Sequence, residues 1–215
     1  MLVGVPKPDT AALLAQQEPS QPTSPPPQEA VLAGVVAGER WAHAALYDLL
    51  SPVVARTLQK VLRGTSGDYE DLVQTAFERI VRTLSSERAS PIVSLPAWAG
   101  SIAAHVALDA LRGRTRDRHR FETERVGAPR IEGLPAPSLE RQLEARQKLE
   151  WLQETLSRMN PDQAQTILLH DVLGHGLADI AALMGVTVAA AQRRLSRGHQ
   201  ELLRRANARG IGAGS

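Results

Sequence analysis

The chain contains no cysteine, which excludes disulfides, thiolate nucleophiles and thiolate metal ligands and is compatible with a reducing compartment. Aromatic residues make up only 3% of it, so its cores must be built from aliphatic side chains. No apolar run approaches the length of a membrane span, and the opening MLVGVPKPDT lacks the charged start and apolar centre of a secretion signal. A cytoplasmic protein without membrane insertion is the expectation. No convincing strand pattern exists, so no glycine-rich phosphate loop follows one. His43, His105, His119, His170, His175 and His199 show no paired metal spacing and read as ordinary surface or core histidines. Catalytic residues, a metal, a cofactor and a small-molecule substrate are therefore not expected.

What is present is helical periodicity and bunched arginine. With 215 residues, 43% of them apolar, the chain can bury real cores, and two small helical units fit its patterning best. The formal net charge is only +2, but arginine heavily outnumbers lysine and is clustered, so local fields matter more than the total.

The most informative stretch is 174–205, GHGLADIAALMGVTVAAAQRRLSRGHQELLRR. Leu177, Ile180, Ala181 and Met184 recur at three- and four-residue spacing on one helical face. Gly185 sits where a helix ends in a left-handed residue, and Thr187 is placed to cap the next helix. In that helix Val188, Ala191, Leu195 and Leu202 point inward by periodicity, while Ala189, Gln192, Arg193, Ser196 and Arg197 point out. Small leading residues allow close approach to a DNA major groove, and amide and guanidinium groups reach base edges or phosphates. Arg193, Arg194, Arg197, Arg204 and Arg205 are opposed there only by Glu201, a concentration of charge that attracts phosphate.

The rest of the chain reads as follows. Residues 1–29 carry Pro19, Pro22, Pro25, Pro26 and Pro27 among Gln, Ser and Thr and are expected to be a disordered tail, as are 209–215. A first unit spans 30–121. It begins with Leu32, Val35 and Val36, breaks near Gly38, and continues with Ala42, Ala45, Leu46, Leu49 and Leu50. Pro52 is expected to bend or restart the helix before Val54, Leu58, Val61 and Leu62. Gly64 and Gly67 bracket a turn, and Asp68 is positioned as a cap. Val73, Phe77, Ile80 and Leu84 form the buried side of the next helix, leaving Asp71, Gln74, Thr75 and Glu78 outside. After a loop at 85–94, a helix with Leu95, Ala99, Ile102, Val106 and Ala110 inward ends in Arg112, Arg114, Arg116, Arg118 and Arg120, a second basic patch. Residues 122–138 are rich in Gly and Pro and form a flexible linker. A second unit at 139–208 uses Leu143, Leu149, Leu152, Leu156 and Met159, then a cap at Asn160 with Pro161 and Gln163, then Ile167, Leu168 and Val172. The fold class is all-α.

This order of elements resembles the extracytoplasmic-function sigma factors of bacterial RNA polymerase, in the sigma-70 family, over roughly 31–206. YEDLVQTAFERIVRTL resembles the family's polymerase-docking helix, which implies polymerase-binding roles for Asp71, Gln74, Thr75 and Glu78. LPAWAGSIAAHVALDALRGR resembles the helix that binds and opens the minus-ten element, implying DNA contacts from Trp98, His105, Asp109, Arg112, Arg114 and Arg116. IAALMGVTVAAAQRRLSRG resembles the minus-thirty-five reader and places Gln192, Arg193, Arg194, Ser196 and Arg197 toward DNA. The chain departs from the family pattern at Ala99, Gly100 and Ser101, where a polar or aromatic run is usual, at His105 in place of asparagine, at Thr75 in place of an acid, and at Ala189, Ala190 and Ala191. The resemblance implies core RNA polymerase, promoter DNA and an anti-sigma protein as partners, with catalysis belonging to the polymerase. A stand-alone helix-turn-helix regulator and a sigma mimic that occupies an anti-sigma protein are the alternatives.

Overall fold

The computed structural model describes residues 26–63, 69–86, 94–120 and 139–211, with side chains from 94–117 and 141–211 in the last two segments. The N-terminal tail, the Gly64–Gly67 turn, the Asp68 cap, the linker at 122–138 and the side chains of Arg118 and Arg120 lie outside the described residues, as does most of the 85–94 loop. Within them the chain forms eight α-helices and one π turn: α1 (Gln28–Val36), α2 (Arg40–Leu62), α3 (Tyr69–Leu84), α4 (Leu95–Arg120), α5 (Leu139–Arg158), α6 (Pro161–Ile167), the π turn (Leu168–Val172), α7 (Leu177–Met184) and α8 (Val188–Ala208).

The local signals act where the sequence puts them. The Asn160 side chain accepts the Asp162 and Gln163 N–H groups at 3.0 and 3.4 Å and starts α6, with Pro161 at its first position. Between α1 and α2 the chain turns at Gly38, φ +76°. Gly34 lets these two helices approach so closely that an added Cβ would stand 2.6 Å from Ala42 Cβ.

Pro52 does not restart the helix: α2 runs through it as one element of 23 residues. Proline lacks one N–H donor, but Leu50 and Val54, fully buried on either side, hold the helix to the core through that turn. Four apolar residues expected inward are exposed instead: Val36, Leu49, Leu143 and Val188. Val36 and Leu49 stand about 100° around their helices from the buried Val35 and Leu50, off the face that packs at that turn.

The helix α4 departs furthest from a one-faced reading. Besides Leu95, Ala99 and Val106, it buries Gly100, Ser101, Ala103, Ala104, Ala107, Leu108 and Leu111. It is surrounded: α2 and α3 pack on it from the first unit, α5 and α6 from the second. Its alanines and glycine make that possible, because small side chains admit neighbouring helices on several sides at once. A continuous cluster consequently runs from Val31, Leu46, Leu58 and Ile80 through Leu108 to Leu156, Met159, Ile167, Leu168 and Leu195. Each fully buried leucine contributes about 1.5–3 kcal/mol relative to exposure. Leu169, Ile180, Ala181 and Ala191 form a smaller cluster under the α7–α8 turn. The π turn, in which the Leu173 N–H reaches back to the Leu168 carbonyl at 3.0 Å, sends the consecutive residues Leu168 and Leu169 into these two different clusters.

Candidate nucleic-acid interface

The turn between α7 and α8 is built as its sequence requires. Asp179 accepts the Gly176 N–H at 3.3 Å at the start of α7, and Gly185 ends that helix at φ +62°. The Val186 N–H returns to the Ala181 carbonyl at 2.9 Å, and the Thr187 hydroxyl accepts the Ala190 N–H at 3.2 Å. Ala191, Leu195 and Gly198 are buried, which sets the rotation of α8 and leaves Ala189, Gln192, Arg193, Ser196 and Arg197 exposed. At Gly198 the close partner is Ile167, whose Cδ1 would lie 2.7 Å from an added Cβ. Val188, expected inside, is 50% exposed and extends the outer surface of the first turn.

The arginines of α8 divide by their partners. Arg194 meets Asp162 of α6 at 2.7 Å and is only 28% exposed, so it braces α8 against α6. Arg204 and Arg205 both hydrogen-bond Glu201, at 2.8–2.9 Å and 2.6 Å. Those bonds, from Arg204 first and then Arg205, hold the Glu201 carboxyl down to about 2. Arg193 and Arg197 make no ion pair among the described residues. Behind this surface, Asp171 of the π turn accepts from His170 at 2.6 Å and meets His199 of α8 at 2.8 Å. Burial pushes the Asp171 pKa up, but the two histidine hydrogen bonds outweigh it and the net shift is downward.

On α4, His105, Asp109, Arg112 and Arg116 follow one another at three- and four-residue spacing. Asp109 is their hub: it meets Arg79 of α3 at 2.9 Å, Arg112 at 3.4 Å and His105 at 3.5 Å. Trp98 is half-buried against the main cluster, Arg112 and Arg114 are half-buried, and Arg116 is exposed. On α3, Asp71, Gln74 and Glu78 are exposed, with Gln74 donating to Glu78 at 3.0 Å. Thr75 turns its hydroxyl back to the Asp71 carbonyl at 2.7 Å. Tyr69, at the start of this helix, donates to the Ala55 carbonyl at 3.2 Å, and burial raises its pKa.

The candidate residues thus occupy three separate surfaces, on α3, α4 and α8. Sequence reasoning did not find the partners that organise them: Asp162 for Arg194, Arg79 for Asp109, and Gln165, whose amide oxygen lies 3.3 Å from His105 Nδ1. These pairs join residues remote in the chain, and nothing in local periodicity marks them.

The family described as Sigma-70 region 2 matches residues 46–117, and that described as Sigma-70, region 4 matches residues 149–202. The RNA polymerase sigma factor CarQ of Myxococcus xanthus is 30% identical over 173 residues, 77% of this chain and 89% of CarQ. The ECF RNA polymerase sigma factor SigJ of Mycobacterium tuberculosis is 28% identical over 138 residues, 63% of this chain and 42% of SigJ. Among solved structures, CnrH in complex with the cytosolic domain of CnrY aligns with a TM-score of 0.47 at 21% identity, covering 83% of this chain and 96% of that one. With both sigma-70 regions matched in order and a relative covered over most of its length, the chain belongs to the extracytoplasmic-function sigma factors of bacterial RNA polymerase.

Proposed function

We propose a division of labour over the three surfaces for a factor that directs core RNA polymerase to specific promoters. The exposed Asp71, Gln74 and Glu78 of α3 dock on core polymerase. The stripe of α4 that includes His105, Arg112 and Arg116, with Trp98 and Arg114 beside it, engages the minus-ten element. The outer face of α8 reads the minus-thirty-five duplex through Gln192, Arg193, Ser196 and Arg197, while Arg194 steadies that helix and Asp109 orients the charges of α4.

The observation that carries this reading is the asymmetry on α8: among the described residues, Arg193 and Arg197 stand exposed and without a carboxylate partner beside a run of alanines, whereas the remaining arginines of that helix are paired. Unpaired guanidinium groups next to small residues are what groove entry requires. Nucleotide chemistry in this scheme belongs to the polymerase. An anti-sigma protein is the expected regulatory partner and the cytoplasm the expected compartment; no helix among the described residues is long and apolar enough to cross a membrane.

Co-purification with core polymerase followed by run-off transcription tests the proposal. Polymerase binding with promoter-directed transcripts is the expected result. Duplex binding without polymerase association would instead identify a stand-alone regulator.

A further inference from the structure

We infer that the cleft between the end of α5 and the second half of α8 binds a small ligand carrying a di- or triphosphate group. The cleft holds about 490 Å³, within the size range of small-molecule sites. Among the described residues four arginines line it, Arg158 of α5 and Arg197, Arg204 and Arg205 of α8, against a single carboxylate, Glu201. On α8 the three- and four-residue spacing of Arg197, Glu201, Arg204 and Arg205 brings them to one helical face. The facing wall is the turn from α5 into α6, with Met159 and Asn160. Guanidinium groups therefore converge on one concavity from two elements, an arrangement that neither helix supplies alone.

Glu201 shows how this cluster treats an oxyanion. Arg204 grips both carboxylate oxygens, through Nε at 2.9 Å and Nη2 at 2.8 Å, and Arg205 adds its Nε at 2.6 Å. Planar guanidinium forks match the oxygens of phosphate as they match those of a carboxylate. A phosphate entering the cleft takes the place of Glu201 on Arg204 and Arg205 and adds Arg197, which makes no ion pair among the described residues. Arg158, held by Glu154 at 2.9 Å, supplies charge from the other wall. Adjoining phosphates that share a bridging oxygen suit so compact a cluster better than the phosphates of a nucleic-acid strand, which a sugar separates. Asn160 is already engaged as the cap of α6, so the attraction comes from the arginines and not from that helix end. The amides of Gln163 and Gln200 and the apolar Met159, 5% exposed, complete the lining and suit the sugar and base of a nucleotide. Arg197 also belongs to the face proposed above to read DNA. On that assignment, which this consequence alone rests on, a ligand in the cleft competes with the minus-thirty-five duplex.

Titration calorimetry of the full-length chain with inorganic tripolyphosphate and with ATP, at fixed ionic strength, tests the site. Both should bind, ATP the more tightly; equal affinities would confine recognition to the phosphates and still support it. Arg158→Ala with Arg205→Ala should weaken binding of both probes about tenfold. Arg209→Ala, which removes an exposed arginine of α8 outside the cleft, should change it less than about twofold. Glu201→Gln removes the competing carboxylate and should strengthen binding about fivefold, a gain that misfolding cannot produce. Fluorescence anisotropy with a labelled random-sequence duplex then reads the competition. Tripolyphosphate at about four times its dissociation constant should weaken duplex binding about fivefold in wild type and less than about twofold in the Arg158→Ala, Arg205→Ala variant. Binding of neither probe, or equal losses in that variant and in Arg209→Ala, would overturn the site. If neither probe binds while the cleft variant loses duplex affinity, the cleft serves the DNA backbone and the inference falls with the DNA assignment standing. Ligand binding that leaves duplex binding unaltered would uphold the site and overturn the placement of Arg197 at DNA.

Discussion

Five arginines lie on α8, and the geometry gives them unequal work. Arg193 and Arg197 have no carboxylate within reach among the described residues, whereas Arg194 is held by Asp162 and Arg204 and Arg205 share Glu201. Alanine at Arg193 or Arg197 should cost about 1–3 kcal/mol of binding and relax preference at one minus-thirty-five position. Titrations on matched and scrambled duplexes at several salt concentrations check this; equal losses on both would reduce these residues to phosphate contacts. Glu201 provides a second test. Its pKa is depressed from 4.5 to about 2, so its ion pairs support the folded chain fully above 4.5 and are lost as the pH falls toward 2. Thermal melts of wild type and Glu201→Gln should differ at neutral pH and converge across that interval. The difference will be small because the pairs are screened by solvent. The same substitution releases Arg204 and Arg205 and should raise affinity for duplexes of every sequence, with a steeper salt dependence.

At the scale of elements, the position of α8 depends on a glycine that nothing in its periodicity distinguishes. Gly198→Ala would drive a methyl into Ile167 across the α6–α8 contact. Overpacking of this kind costs about 1–3 kcal/mol, which chemical denaturation would register, although the substituted residue is buried away from the face proposed to read DNA. The helix α3, proposed to dock on polymerase, is the converse case, with an outer face that contributes little to packing. Asp71→Ala with Gln74→Ala should weaken co-purification with core polymerase and leave the circular dichroism spectrum unchanged. Loss of helicity alongside the loss of binding would mean that the pair supports the fold. Thr75 is spent on the Asp71 carbonyl, so of the four polar residues proposed on this helix it offers its partner the least.

For the molecule as a whole, the decisive feature is that one cluster of buried side chains crosses from the first unit into the second. The full chain should therefore unfold in a single cooperative transition. Leu168→Ala, at a position 2% exposed, should lower that transition as a whole, by about 2–5 kcal/mol, and not only the part belonging to the second unit. Differential scanning calorimetry that resolved two transitions, only one of them shifted, would contradict this. What the sequence determined unaided is whatever is encoded within a few residues: the all-helical class, the Asn160 and Thr187 caps, the left-handed Gly185, and the outward set of Ala189, Gln192, Arg193, Ser196 and Arg197. Those features follow from backbone hydrogen bonding and helical period, which are local. Only the tertiary structure decided that α4 is enclosed on several sides, that α2 continues through Pro52, that Val188 faces out, and that Arg194 answers to Asp162. Each of those outcomes depends on a neighbour dozens of residues away or on how many helices share one surface, and a pattern of period 3.6 carries no information about either.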